Sequence, residues 1–101
     1  MRGFTYILRC SNGQYYTGST TNIEKRLVQH QSGEGASFTR KYLPVELVYI
    51  EEHMNIREAF NREKQIQGWS RKKKEALIKE CQGILPVLSR NYTQFGKSDI
   101  N

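Results

Sequence analysis

The stretch FTYILRCSNGQYYTG, residues 4–18, decides how this chain begins to fold. It divides into a β-rich run, a polar turn and a second β-rich run, at 4–10, 11–14 and 15–18. Asn-Gly between two such runs is a strong local signal for a β-hairpin. The stretch therefore predicts two paired strands, one carrying Tyr6 and the other Tyr16. Because tyrosine is common in strands, the hairpin alone favours a packing role for both.

Length and charge limit what the chain can be. It has 101 residues, which is the size of one domain with one modest core. Its formal net charge is +6, from 16 Lys and Arg against 10 Asp and Glu. Each half of the chain carries a net +3, so the charge is not concentrated in a tail. A basic surface favours a polyanionic partner, most simply nucleic acid, and ordinary solubility charge is the alternative.

The cysteines and the apolar pattern exclude other classes. Cys10 and Cys81 are far apart and form no C-x-x-C pair, so we predict no zinc site. The first residues do not resemble a signal peptide, and no apolar run approaches the roughly 20 residues of a membrane span. We therefore expect a cytoplasmic protein with reduced thiols.

Capping patterns place the first helix and the strand after it. Thr21 as N-cap with Glu24 three residues later predicts a helix that ends near Gly33. Residues 34–44 are expected to form a loop. Residues 45–52 predict a third strand that is apolar on both faces, with Val45, Leu47 and Tyr49 on one of them, as in a central strand.

Two further helices complete the predicted fold. Asn55 is expected to cap a helix that ends at Gly68, and Ser70 a helix that ends near Cys81. The fold class is therefore α/β (α+β), a three-stranded sheet in the order ββαβαα with helices packed on the sheet. Residues 1–82 would form this domain. Residues 83–101 would be a partly disordered C-terminal extension whose apolar segment, 84–88, could dock.

Glu63 occupies a position that packing does not explain. The predicted helix carries an apolar stripe, and position 63 falls on it; the stripe consists of Ile56, Ala59, Phe60 and Ile66. A carboxylate on that side needs a cation, a metal ion or hydrogen-bond donors. The alternative is a marginal position where Glu63 pairs with a neighbouring Arg or Lys.

Several basic residues suit contacts with phosphate. Arg26 and His30 lie four residues apart, so they share a helix face beside the apolar stripe. Arginine suits a phosphate clamp because its planar fork makes bidentate contacts. Further candidates lie in the predicted loop: Arg40, Lys41 and Tyr42. Four more lie in the first turn of the last predicted helix, where the helix dipole disfavours cations: Arg71, Lys72, Lys73 and Lys74. A solvated charged face is the alternative for each.

Taken together, these residues resemble the GIY-YIG nuclease superfamily, in particular the small UvrC-like proteins of the UPF0213 type. Phe4-Thr5-Tyr6 stands at the position of the first motif and Tyr16-Thr17-Gly18 at that of the second. Arg26, His30 and Glu63 match the polar positions of the family's two helices. The resemblance covers residues 4–78, and the five elements occur in the family's order.

The resemblance implies a DNA endonuclease that uses one divalent metal ion, Mg²⁺ or Mn²⁺. Glu63 would be the metal ligand, and Arg26 would neutralise charge on the scissile phosphate. Tyr6 or Tyr16 would be the general base, with no assignment between them from the sequence. His30 would orient that phenol or accept its proton. Gly18 and the basic residues would contact DNA, which could be branched, flapped or single-stranded.

Two departures from the family favour other hypotheses. Ser19 stands where UvrC-like members have lysine, and Glu75 stands where several relatives have asparagine. A weak or inactive nucleic-acid-binding module with the same fold is therefore the alternative. A nuclease that needs a protein partner, docked on residues 84–88, is a third possibility.

Overall fold

The computed structural model of the chain describes residues 1–80. Three strands form one antiparallel sheet in the order β2-β1-β3: β1 is Gly3–Arg9, β2 is Tyr15–Thr20 and β3 is Glu46–His53. The predicted hairpin pairs Tyr6 with Gly18 and Leu8 with Tyr16. The prediction of a three-stranded α+β fold is confirmed. The expectation that the third strand is central is wrong, because β1 occupies the middle of the sheet.

In the described part of the chain, four helices accompany the sheet: α1 is Ile23–Gln31, α2 is Ser37–Lys41, α3 is Ile56–Gln67 and α4 is Arg71–Glu80. The side chain of Asn55 caps α3 by accepting from the Glu58 backbone N–H, as predicted. The N-cap of α1 is Asn22 and not Thr21, since the Asn22 side chain accepts from the Lys25 N–H at 3.0 Å. The segment predicted as a loop contains α2, so the observed order is ββααβαα.

The sheet separates two apolar clusters. On the side of α1, Tyr6, Leu8, Ile23 and Leu27 pack with the start of β3. On the side of α3 and α4, the cluster contains Ile7, Val48, Tyr49 and Ile66. The prediction that Tyr49 shares a face with Val45 and Leu47 is wrong. The register between β1 and β3 shifts between Ile7 and Leu8, which inserts one residue into β3. The chain thus buries both faces of a small sheet.

Helix α3 does not bury its whole predicted stripe. Ala59 and Ile66 are 0% exposed, but Ile56 and Phe60 are 40% and 47% exposed. The helix packs on β1 and β2 near the open edge of the sheet, so one part of the stripe faces outward. Glu63 lies at this margin, half-buried.

No helix within residues 1–80 is long and apolar enough to cross a membrane. Cys10 is buried and forms no disulfide with any residue of that part of the chain. Cys81, the apolar segment 84–88 and the proposed extension 83–101 lie outside the described residues, and cytoplasmic location stays a prediction.

Candidate active site

A cleft of about 420 Å³ opens at the outer edge of β2, between α1 and α3. Three candidate catalytic residues, Tyr16, Arg26 and Glu63, line it. They come from three different elements, one strand and two helices. The other lining residues are Gly18, Ser19, Thr20, Thr21, Ile56 and Phe60.

The two tyrosines occupy different environments. Tyr6 is 0% exposed and does not line the cleft, whereas Tyr16 is half-buried and does. Their ring centroids are 6.5 Å apart. The difference follows from strand order: Tyr6 lies on the central strand and is covered, while Tyr16 lies on the edge strand. Of the two phenols, Tyr16 is therefore the one at the wall of the cleft.

Gly18 is required by the position of Tyr6. A Cβ atom at residue 18 would lie 2.5 Å from the Tyr6 hydroxyl oxygen and 2.7 Å from Cζ. Both distances are too short for non-bonded atoms, so a side chain at position 18 would collide with the Tyr6 phenol. Any larger residue at position 18 would displace Tyr6, so the role of Gly18 is steric.

Burial raises the pKa of both phenols. For Tyr6 the pKa lies well above its usual value, chiefly through burial and then through the neighbouring Tyr16. For Tyr16 burial is again the main cause, and the Glu63 carboxylate adds to it. Arg26 lowers the pKa of both groups by its positive charge. Arg26 is thus the protein cation that favours a phenolate here.

His30 lies behind Tyr6 and not in the cleft. It is 0% exposed, and burial followed by the charge of Arg26 lowers its pKa to about 4. The ring is therefore neutral at pH 7. Its Nε2 lies 3.0 Å from the Tyr6 hydroxyl, and its Nδ1 lies 2.9 Å from Thr39 Oγ1. Gly35 packs so closely on the ring that a Cβ atom would collide with it.

Glu63 is held by two neutral donors. Ser19 Oγ donates to Oε1 at 2.6 Å, and Gln67 Nε2 donates to Oε2 at 2.8 Å. Within residues 1–80 no Arg, Lys or His lies within ion-pair distance of this carboxylate. The expected pairing with a neighbouring cation is therefore absent there. The carboxylate remains available at the wall of the cleft.

Comparison with known proteins identifies the family. Residues 2–76 match the family described as the GIY-YIG catalytic domain. The chain belongs to the GIY-YIG family. Its short motifs Phe4-Thr5-Tyr6 and Tyr16-Thr17-Gly18 are the strand segments described above, and the family places the chain in the GIY-YIG nuclease superfamily.

The relatives of this GIY-YIG protein are of the UPF0213 type. It is 44% identical to a UPF0213 protein of Bacillus pumilus over 77 residues, covering 76% of this chain and 79% of that protein. A UPF0213 protein of Natronomonas pharaonis is also 44% identical, over 79% of this chain and 94% of that protein. The solution NMR structure of a UPF0213 protein from Bacillus halodurans is similar, with a TM-score of 0.56 and 35% identity over 92% and 99% of the two chains.

The basic candidates of this GIY-YIG domain lie outside the cleft lining. Arg71 stacks on the Tyr15 ring, 4.6 Å from its centroid, and pairs with Glu75 at 3.0 Å. Lys73 lies over Trp69, and Lys72 and Lys74 have no ion-pair partner within residues 1–80. Arg40, Lys41 and Tyr42 lie on or beside α2, where a second groove of about 290 Å³ is lined by Ser37, Phe38, Lys41 and Tyr42.

Six residues that line the GIY-YIG site or hold Glu63 were not among the sequence-predicted site residues: Ser19, Thr20, Thr21, Ile56, Phe60 and Gln67. Gln67 is four residues after Glu63, so helical spacing could have identified it. Phe60 was assigned to the core because its spacing fits the apolar stripe. Ser19 directly follows the second motif, but its hydrogen bond to Glu63 joins residues 44 positions apart, which no local pattern predicts. The contact of Thr39 with His30 likewise joins two different helices.

Proposed function

We propose that this protein is a divalent-metal-dependent DNA endonuclease that hydrolyses phosphodiester bonds. The observation that carries the proposal is the convergence of Tyr16, Arg26 and Glu63 on one open cleft of a GIY-YIG domain. A phenol, a guanidinium and a carboxylate can supply three functions used in metal-assisted hydrolysis of a phosphate diester: a base, a cation for the phosphate and a metal ligand.

Glu63 fits a role as the protein ligand of one Mg²⁺ or Mn²⁺ ion. Its two oxygens accept from neutral donors, so its charge is not cancelled by a nearby side-chain cation within residues 1–80. No cluster of three or more His, Cys, Asp or Glu that could hold a metal occurs in that part of the chain. Mg²⁺ suits such a site because it keeps several waters and takes one or two carboxylates plus substrate phosphate. When bound, it would stabilise negative charge on the phosphate.

Tyr16 is the better candidate for the general base. Its phenol lines the cleft, while Tyr6 is covered and hydrogen-bonded to His30. In the proposed reaction a water oxygen attacks phosphorus while one of its protons passes to the Tyr16 phenolate oxygen. The opposite P–O bond breaks, and the departing oxygen takes a proton from solvent. Arg26 stabilises the charge that develops on the phosphate and favours the Tyr16 phenolate. Because the pKa of Tyr16 is raised, the nicking rate should increase with pH above neutrality.

The exposed apolar wall of the cleft supports selectivity for DNA structure. Phe60 is 47% exposed and lies one helical turn before Glu63 on the same helix. Lys64 lies 4.9 Å from the centre of its ring. Aromatic rings bind unpaired bases by stacking, at about 1–3 kcal/mol per base. An unpaired base beside the scissile phosphate, as in a flap, branch or overhang in DNA repair or recombination, would be favoured over continuous duplex.

The test is metal-dependent nicking of labelled flap, branched, overhang and duplex DNA by the full chain. Wild type should cut with Mg²⁺ or Mn²⁺ and not with a chelator, and Glu63→Gln and Arg26→Ala should each lose at least a hundredfold in rate. Glu58→Gln is the matched control, because Glu58 is an exposed carboxylate on the same helix outside the cleft. Normal cutting by Glu63→Gln, or no cutting by wild type with any divalent metal, would refute the proposal.

A non-catalytic nucleic-acid-binding module is the second candidate. Ser19 favours it, because it replaces the lysine of UvrC-like members and leaves Arg26 as the cation beside Tyr16. The exposed basic residues on α2 and α4 would then bind phosphate without hydrolysis. Salt-dependent DNA binding with no cleavage would support this candidate. Cleavage that appears only when a protein partner is added would instead indicate a partner-dependent nuclease.

A further inference from the structure

We propose that Thr39 is a positioning residue that fixes the tautomer of His30 and, through it, the direction of the Tyr6 hydroxyl behind the cleft. The nuclease consequence of this assignment rests on the proposed function, whereas the tautomer itself does not. Thr39 lies on α2, whereas His30 lies on α1 and Tyr6 on β1, so three elements meet at this point.

A carbonyl group sets the polarity of the hydrogen bonds. Thr39 Oγ1 donates to the Ala36 carbonyl oxygen at 2.9 Å, and a carbonyl can only accept. This bond uses the single proton of the Thr39 hydroxyl, so Thr39 must accept from His30 Nδ1 at 2.9 Å. His30 therefore carries its proton on Nδ1. Neutral imidazole has one N–H, which leaves Nε2 as an acceptor.

The Tyr6 hydroxyl must then donate to His30 Nε2, across 3.0 Å. With its proton committed to His30, the Tyr6 oxygen can only accept from other groups. Arg26, whose positive charge lowers the pKa of the Tyr6 phenol, can only donate hydrogen bonds. The order of donation thus runs from Tyr6 through His30 and Thr39 to the Ala36 carbonyl, and that carbonyl determines its direction.

Burial makes this arrangement specific. Tyr6, His30 and Thr39 are each 0% exposed, so an unpaired hydrogen-bonding group would be costly at any of the three. Gly35 packs against the imidazole ring and limits its movement. Arg26, whose charge acts on the Tyr6 phenol, lines the cleft. Thr39 therefore acts on the cleft through other residues and does not touch substrate.

Nitrogen-15 NMR of the full chain tests the tautomer directly. In wild type we expect His30 Nδ1 to be protonated and Nε2 unprotonated at pH 7. Thr39→Val keeps the shape but removes the acceptor, so His30 should shift to the Nε2–H form. Thr39→Ser, the matched control, should keep the Nδ1–H form. Wild-type His30 protonated on Nε2, or an unchanged tautomer in Thr39→Val, would overturn the assignment, and the wild-type measurement stands even if the valine variant does not fold.

Kinetics test whether the tautomer matters for cleavage. Thr39→Val should lower kcat roughly ten- to a hundredfold, because a displaced Tyr6 and Arg26 misalign the site, with little change in KM for DNA. Thr39→Ser should restore kcat. A folded Thr39→Val with the shifted tautomer and wild-type kcat would overturn the catalytic consequence. If wild type cuts no DNA, the proposed function fails, while the NMR result still decides the role of Thr39.

Discussion

Replacement of Thr17 by valine should stabilise the protein. Thr17 is 4% exposed on β2, and within residues 1–80 its Oγ1 has no hydrogen-bond partner. Folding therefore removes this hydroxyl from water without a protein partner, at a cost of about 1–3 kcal/mol. Valine has almost the same shape, so the substitution removes that cost without opening a cavity.

The matched control is Thr5→Val on the adjacent strand β1. Thr5 is also a buried strand threonine, at 0% exposure, but its Oγ1 donates to the Ala59 carbonyl of α3 at 2.8 Å. Loss of that bond should cost about 1 kcal/mol. The same chemical change is thus expected to raise stability at position 17 and lower it at position 5.

Urea and thermal unfolding followed by circular dichroism measure both effects. Thr17→Val should gain about 1–2 kcal/mol in the free energy of unfolding. Each kcal/mol corresponds to a rise in Tm of roughly 4–8 °C for a domain of this size. The free energy of unfolding of Thr5→Val should be lower than that of wild type by a comparable amount. If Thr17→Val is as unstable as Thr5→Val, the Thr17 hydroxyl has a partner in solution and the reasoning is wrong.

Two further predictions concern His30 and Phe60. In the unfolded chain the pKa of His30 is 6.5, and in the fold burial lowers it to about 4, so protonation favours unfolding. The free energy of unfolding should be nearly constant between about pH 7.5 and 8.5 and fall by about 2 kcal/mol by pH 5, at about 1.4 kcal/mol per pH unit. Urea titrations at several pH values check this, and a flat profile would contradict it. For Phe60→Ala, nicking of flap DNA should decrease about tenfold relative to duplex, as loss of stacking on one base implies. Equal losses on both substrates would argue against a stacking role.

Local signals determined much of this fold. The Asn-Gly turn placed the hairpin, and Asn55 capped its helix as predicted. Ser70 likewise accepts from the Lys73 N–H at the start of α4. These features depend on residues within four positions of one another, so a single sequence contains the information. Helix α2 was missed because its five residues carry no side-chain cap.

The candidate site was only partly accessible from the sequence. The motif positions and the helix residues identified Tyr16, Arg26 and Glu63 as a group, and the fold brings these three to one cleft. The sequence could not separate Tyr6 from Tyr16, because both alternate toward the same face of the hairpin. Strand order separates them, since β1 is central and β2 is at the edge.

The sequence by itself determined the hairpin, the boundaries of the longer helices to within a few residues and the family. Tertiary structure decided which phenol is exposed, that Phe60 lines the cleft, and that Ser19 and Gln67 hold Glu63. It also joined Thr39 to His30 and Tyr6. The physical reason is that burial and long-range hydrogen bonds depend on which elements pack together, and local propensity does not contain that information.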